Sequence, residues 1–412
     1  MIPEDFYSRL SVKLPRIISE FGTPFHIYDE TGILKRGQEF NQVFSHLNFR
    51  EHYAVKANPN PAILKMMTKL GFGFDCSSPS EVLLSEEAGA SKEDIIYTAN
   101  NTPISEFKMA LDHGVIVNLD DITMVKKLPT MPELICFRYN PGNRRDGGNS
   151  IMGKPAESKY GVTHDQIVEA YRMAKERGAK RFGIHTMIVS NELNYSYFVQ
   201  TVQMLFDVIQ MITKELGITF EFINMGGGLG IPYKPDQQPL NLTKMASDIE
   251  ELFGVFKKEN GYVPQLKIES GRYITGQSGV LVVTVINKMS KYFEIVGVDA
   301  SMSALMRPAV YGAYHDIVVL GKENVLKTET YSIVGALCEN WDQFASNRKF
   351  PPIEEGDILI IANTGAHGAA MGFTYNARLR PQELLLCADG SVTRIGRAEN
   401  HEDYIARWKN QS

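Results

Sequence analysis

The chain of 412 residues is poor in cysteine: Cys76, Cys136, Cys338 and Cys387 lie far apart, and no Cys-x-x-Cys pair exists. That excludes a disulfide-built scaffold and argues against a zinc site. A basic excess is also missing, since 43 Lys and Arg stand against 48 Asp and Glu, a formal net charge of −5. A general nucleic-acid binder is therefore not expected. No apolar run approaches the ~18 residues of a membrane span. The opening MIPEDFYSRLSVKLP has no apolar signal core. These absences predict a cytoplasmic protein that acts on small molecules, with no membrane or nucleic-acid partner and no metal. What is present is an ordinary globular balance, 43% hydrophobic and 22% charged residues, over a length that accommodates two or three domains.

Short apolar, β-rich segments alternate with longer segments of helical period. Strands are predicted near 52–55, 73–75, 95–98, 115–119, 134–139, 182–186, 219–224 and 266–269, with helical patterns such as 61–70, 79–88, 105–113, 165–177 and 195–216 between them. Eight strands with helix-length connections predict an α/β fold, a closed (β/α)8 TIM-like barrel over residues 30–277. A doubly wound open sheet is the competing architecture. Beyond about 277 the helical intervals thin out. Strand-like runs at 279–288, 292–298, 317–320, 330–334, 357–361 and 383–387 predict a mostly antiparallel β-domain over 278–412. Residues 1–29, with a strand-like stretch at 24–29, are expected to join it.

A parallel barrel carries its active site at the C-terminal strand ends, and here those ends are polar. Lys56 follows the apolar Tyr53-Ala54-Val55. A lysine desolvated there would lose its proton easily, and a neutral amine adds to carbonyls; a surface lysine is the plainer alternative. Gly226–Gly230 follows the seventh strand and Glu269-Ser270-Gly271-Arg272 ends the eighth. The loops after strands 7 and 8 are the usual barrel phosphate site, although a tight turn alone also explains the glycines. Glu269 is suited to face a pyridinium nitrogen, or to pair with Arg272 as scaffold. In the C-terminal region Cys338-Glu339-Asn340-Trp341-Asp342 and the run 365–376 are dense in polar groups. Cys338 beside carboxylates is a poor nucleophile but a candidate proton donor; a buried structural cysteine is the alternative there, and is the reading given to Cys76, Cys136 and Cys387.

The motifs YAVKANPN (53–60), GFDCSSPSE (73–81), GGGLG (226–230), ESGRYITG (269–276), MRPAVYGAYH (306–315), CENWD (338–342) and GAHGAAMGFTYNARLRPQEL (365–384) occur in family order. Together they resemble the fold-type III pyridoxal-phosphate-dependent amino acid decarboxylases, whose barrel is of the alanine racemase type, and within them the diaminopimelate decarboxylases. The resemblance implies that Lys56 bonds covalently to pyridoxal 5′-phosphate, with Asp75 supporting it and Glu269 on the pyridine nitrogen. Gly228, Gly230, Gly271 and Arg272 would hold the phosphate, with hydroxyls from Ser190 and Tyr375. Cys338 would return a proton to carbon after CO2 leaves. Arg272, Arg307, Tyr311, Glu339 and Tyr375 would contact substrate. A homodimer is implied, with active sites shared across the interface.

Two departures stand out. Where the family has a His-Cys-His-Ile-Gly-Ser-Gln type segment, this chain reads His185-Thr186-Met187-Ile188-Val189-Ser190-Asn191. That puts Met187 where the family stacks a histidine on the ring, and a thioether can pack on an aromatic face. Trp341-Asp342 replaces smaller residues and would reshape the substrate end. The Arg-Pro-x-x-Tyr run beginning at Arg307 suits a distal carboxylate, unless Arg307 pairs with Glu339 or Asp342 as scaffold. The expected reaction is decarboxylation of meso-diaminopimelate at its D-configured carbon to L-lysine. The runner-up is a D-lysine or D-ornithine decarboxylase giving cadaverine or putrescine. An amino-acid racemase and a non-catalytic regulatory homologue are further alternatives.

Overall fold

The computed structural model describes residues 1–146 and 152–409, so the last three residues of the expected β-domain lie outside the described residues. The chain divides into two units. One comprises residues 36–231 and 238–273, and the other 1–35, 232–237 and 274–412.

In the first unit, eight strands among the described residues form a closed ring: Phe49–Ala54, Gly73–Cys76, Ile95–Ala99, Ile116–Leu119, Leu134–Asn140, Arg181–His185, Phe222–Asn224 and Gln265–Ile268. All neighbouring pairs are parallel. With the other seven neighbours paired, Leu266 of the eighth strand also pairs with Phe49 of the first, which closes the ring and excludes an open doubly wound sheet. The first strand begins three residues earlier than its apolar pattern indicates, and Val55 falls in the tight turn that presents Lys56.

The connecting helices start where side chains satisfy their free N–H groups. Asn60 accepts from Ala62 N ahead of helix Pro61–Lys69, and Ser78 accepts from Glu81 N ahead of Pro79–Glu87. Glu81 Oε2 in turn accepts from Ser77 N at 2.6 Å, an arrangement close to a capping box. It fixes the turn that follows Asp75. Helix Tyr195–Leu216 buries Phe198, Val202, Leu205, Ile209 and Ile212, one face at helical spacing, and ends at Gly217 in the left-handed region.

In the second unit, Phe25–Asp29 runs antiparallel to Gly279–Ser290 and parallel to Gln382–Leu386. Other strands add antiparallel, apart from one parallel pair, Glu294–Val298 with Glu329–Val334. Both faces of the first part of Gly279–Ser290 are covered, which its unbroken Val-Leu-Val-Val run encodes. Val280 and Val282 pack with Phe6, Leu10, Leu14 and Ile17, whereas Leu281 and Val283 face the Val296, Ile333 and Leu359 side. Residues 232–237 belong to this unit because Tyr233 is tied into it: Arg307 Nη1 donates to its hydroxyl at 2.7 Å, and its ring lies edge-on to His315 at 5.2 Å. No helix among the described residues is long and apolar enough to cross a membrane.

Candidate active site

At the C-terminal ends of the barrel strands, Lys56 Nζ donates to Asp75 Oδ2 at 2.7 Å. Asp75 is 1% exposed and the Lys56 side chain 47%. Burial by itself would lower the Lys56 amine. Asp75, Glu269 and Glu81 outweigh it and raise the amine above its ordinary value. This corrects the expectation of an easily lost proton, because desolvation at this strand end comes with carboxylates attached. Asp75 is itself pushed up, first by burial and then by Glu269, against the pull of Lys56.

Glu269 is buried at the end of the eighth strand. Asn224 Nδ2 donates to its Oε1 at 2.7 Å, and His185 Nε2 lies 3.2 Å from its Oε2. Burial would raise this carboxyl, but His185, Lys56 and Asn224 together hold it below the usual carboxylate value. An ionised carboxylate only accepts, so His185 carries a proton on Nε2. Glu269 is thus paired with His185 and Asn224, not with Arg272 as the scaffold alternative had it. Two oxygens accept about four hydrogen bonds, so capacity remains for another donor.

The glycine loops are close-packed. A Cβ on Gly228, whose φ is +92°, would meet Val189 O at 2.5 Å, and one on Gly271 would meet Ala57 Cβ at 2.5 Å. Gly226 N donates to Asn224 Oδ1 at 2.9 Å. Gly230 N donates to Glu192 O at 2.9 Å. The Gly230 N–H is therefore spent inside the chain, and its expected phosphate contact is replaced by a role in letting the two loops approach. Gly227 N lies 3.2 Å from Met187 Sδ, which is how the thioether is held at the departed histidine position. Ser190 is half-buried on the same segment, and Arg272 is buried.

In the β-domain unit, Arg307 is 4% exposed and lies over the Tyr233 ring at 5.0 Å. The two carboxylates considered as scaffold partners for it each take backbone N–H donors. Asp342 accepts from Met302 N at 2.6 Å and Leu337 N at 2.8 Å, and Glu339 Oε1 accepts from Trp341 N at 3.3 Å. Tyr311 is half-buried at the end of the short helix Arg307–Tyr311. Cys338 is exposed, not a buried structural thiol, and its N–H donates to Asn376 Oδ1 at 2.7 Å. Trp341 and Tyr375 are exposed. Cys76 and Cys136 are buried.

Sequence reading left several buried polar groups without a role. Arg138 donates to Asp120 at 3.4 Å and to Met187 O at 3.1 Å, and Glu51 accepts from Ser270 N. Asn224, just ahead of a quoted motif, and the half-buried Glu81, the last residue of another, were also unassigned. Asp75 Oδ1, His185 Nδ1 and Ser270 Oγ are buried without a hydrogen-bond partner among the described residues. Unsatisfied polar atoms around an amine and a carboxylate, beside loops that only glycine fits, match a polar, phosphate-bearing pyridine ring.

The closed barrel and this set of groups define a pyridoxal-phosphate-dependent enzyme. The chain belongs to the pyridoxal-dependent decarboxylases, whose pyridoxal-binding-domain model matches residues 30–276. It is a carboxy-lyase that uses pyridoxal phosphate. Among named proteins it is 46% identical to protein TabA of Pseudomonas amygdali pv. tabaci, over 99% of this chain and 97% of that one. It is 36% identical to the diaminopimelate decarboxylase of Methanothermobacter thermautotrophicus, over 94% and 92% of the two chains. The crystal structure of diaminopimelate decarboxylase from M. jannaschii in co-complex with L-lysine superposes with a TM-score of 0.86 at 30% identity, covering 95% of this chain and 93% of that one.

Proposed function

We propose that the protein decarboxylates meso-diaminopimelate at its D-configured carbon, giving L-lysine and CO2. The observation that carries this reading is full-length similarity to diaminopimelate decarboxylases, 36% and 33% identical to two of them over more than nine-tenths of both chains. A buried guanidinium at Arg307, in the Arg-Pro-x-x-Tyr run, agrees with it by offering a two-pronged contact to a distal carboxylate. Glu339 and Tyr311 receive the distal ammonium and the chain of the substrate, and Arg272 and Tyr375 its reacting end.

Bound pyridoxal phosphate supplies the electron sink for the bond that loses CO2. Lys56 holds the cofactor covalently, and Asp75 orients its Nζ. Glu269, kept ionised by His185 and Asn224, takes the pyridine nitrogen. Gly228, Gly271, Arg272, Ser190 and Tyr375 would hold the phosphate, and Met187 would serve in place of the family's ring-stacking histidine. Cys338 of a second copy of the chain delivers a proton from Sγ, so the working form is a homodimer in the cytoplasm. The exposure of Cys338 suits a group offered to another subunit.

A second reading, a D-lysine or D-ornithine decarboxylase, is favoured by Met187 and Trp341 and by the 46% identical relative that carries another name. Steady-state CO2 release from meso-diaminopimelate, D-lysine and D-ornithine separates the two. Turnover of meso-diaminopimelate with the highest kcat/KM is expected. Efficient turnover of a D-basic amino acid with none of meso-diaminopimelate replaces the first reading by the second.

A further inference from the structure

The opposite, N-terminal end of the barrel holds a cavity of about 430 Å³ that the decarboxylation reading does not use. Pockets of about 300–1,000 Å³ are the size that takes small molecules. At its inner end is Lys267, 5% exposed. The nearest group to its amine is His52 Nε2, at 3.2 Å, and the amine lies 4.5 Å from the centre of the Phe222 ring. Among the described residues no carboxylate comes within ion-pair distance of it.

Three of the acidic side chains around it have a cationic partner, Glu133 with Lys180 at 3.9 Å among them, while Glu93 on the cavity lining is exposed. Glu221 takes Arg181 through both oxygens, at 2.5 and 2.8 Å, and Asp94 pairs with Arg50 at 2.6 Å. Burial lowers the Lys267 amine to about 8, with Cys136, Asp94 and Glu221 opposing and Arg50 assisting. At neutral pH it still carries charge. A buried cation without a counter-charge is costly, and it sits in a cavity that has an apolar face of Leu111, Val115, Ile116, Leu134 and Phe222 beside the polar lining residues Glu93, Glu133, Arg181, Glu221 and Gln265.

We propose that this cavity is a second ligand site, which binds a small aliphatic carboxylate with its anionic end on Lys267 and its hydrocarbon body on the apolar wall. Lys267 is two residues from Glu269 on the strand Gln265–Ile268, and His52 is four from Lys56. An occupant would therefore touch the strand that leads to Glu269 and, through Lys267, would neighbour His52 on the strand that leads to Lys56.

The test is calorimetric titration of 4-methylpentanoate into the holoenzyme and into Lys267→Met, whose thioether side chain preserves most of the volume. Saturable binding to the wild type, weakened about tenfold or more in the variant, is expected. A crystal of the wild-type holoenzyme grown with 4-methylpentanoate gives a readout that does not depend on the variant folding, and is expected to show the carboxylate within hydrogen-bond distance of Lys267 Nζ. Absence of saturable binding, equal affinity in Lys267→Met, or density confined to the other end of the barrel would overturn the proposal and leave the decarboxylation reading untouched.

Discussion

Replacing His185 by alanine removes the strongest influence that keeps Glu269 ionised. Both side chains are nearly inaccessible, 1% and 4% exposed, so solvent does little to compensate. A hydrogen bond to a charged group contributes about 1.5–3 kcal/mol. At about 1.36 kcal/mol per pKa unit, its loss raises Glu269 by roughly one to two units. The sign follows from linkage. A carboxylate held low in the folded protein contributes above its ordinary pKa and stops contributing as pH falls through the folded value. Raising that value makes the loss occur at higher pH. The acid limb of the kcat/KM profile, measured by CO2 release, should therefore move up by about one to two pH units in His185→Ala. Pyridoxal phosphate affinity, read from its visible absorbance, should weaken about 10- to 150-fold over the same range. His185→Gln, which retains a side-chain N–H donor, should recover part of both. An acid limb that stays in place in a folded His185→Ala protein would refute the role given to this pair.

Two further substitutions probe the site. Cys338→Ala should bind cofactor normally, with CO2 release falling sharply; unchanged turnover removes Cys338 from the reaction. Gly228→Ala should cost about 1–3 kcal/mol in thermal unfolding, from its left-handed backbone and the contact with Val189 O, and should weaken cofactor binding. Gly254→Ala is the matched control, since it lies in helix Leu242–Asn260 with open space around it, and should stabilise by up to about 1 kcal/mol.

The barrel was legible because each of its strands is a short apolar segment set off by a helical interval. What it hid was polar. The first strand, Phe49–Ala54, carries Arg50, Glu51 and His52 directly after Phe49, and the last two are buried despite their charge and polarity. Hydrophobic pattern alone therefore starts that strand late. Lys56 was marked by position, but the carboxylates that raise its pKa come from other strands and converge only on closure. Gln343–Phe350 escaped for a similar reason: it reads Gln-Phe-Ala-Ser-Asn-Arg-Lys-Phe, with Asn347 at φ +46° and register shifts in its pairing. The strand Val392–Gly396 is short and has no buried residue. The N-terminal helices Glu4–Ser11 and Leu14–Phe21 were legible in principle, since Phe6, Leu10, Leu14 and Ile17 recur at helical spacing. The polarity around them masked it.

The strand Phe25–Asp29 has a consequence for how the chain is made. Its two neighbours, Gly279–Ser290 and Gln382–Leu386, are encoded more than 250 residues later. During synthesis this segment must wait, with both hydrogen-bonding edges bare, until residues 279–290 and 382–386 have been made. A fragment that stops before residue 382 would carry one of those edges unpaired for good, and such an edge invites association with other chains. Residues 1–35 thus belong with the late-assembled sheet and not with the barrel that follows them in sequence.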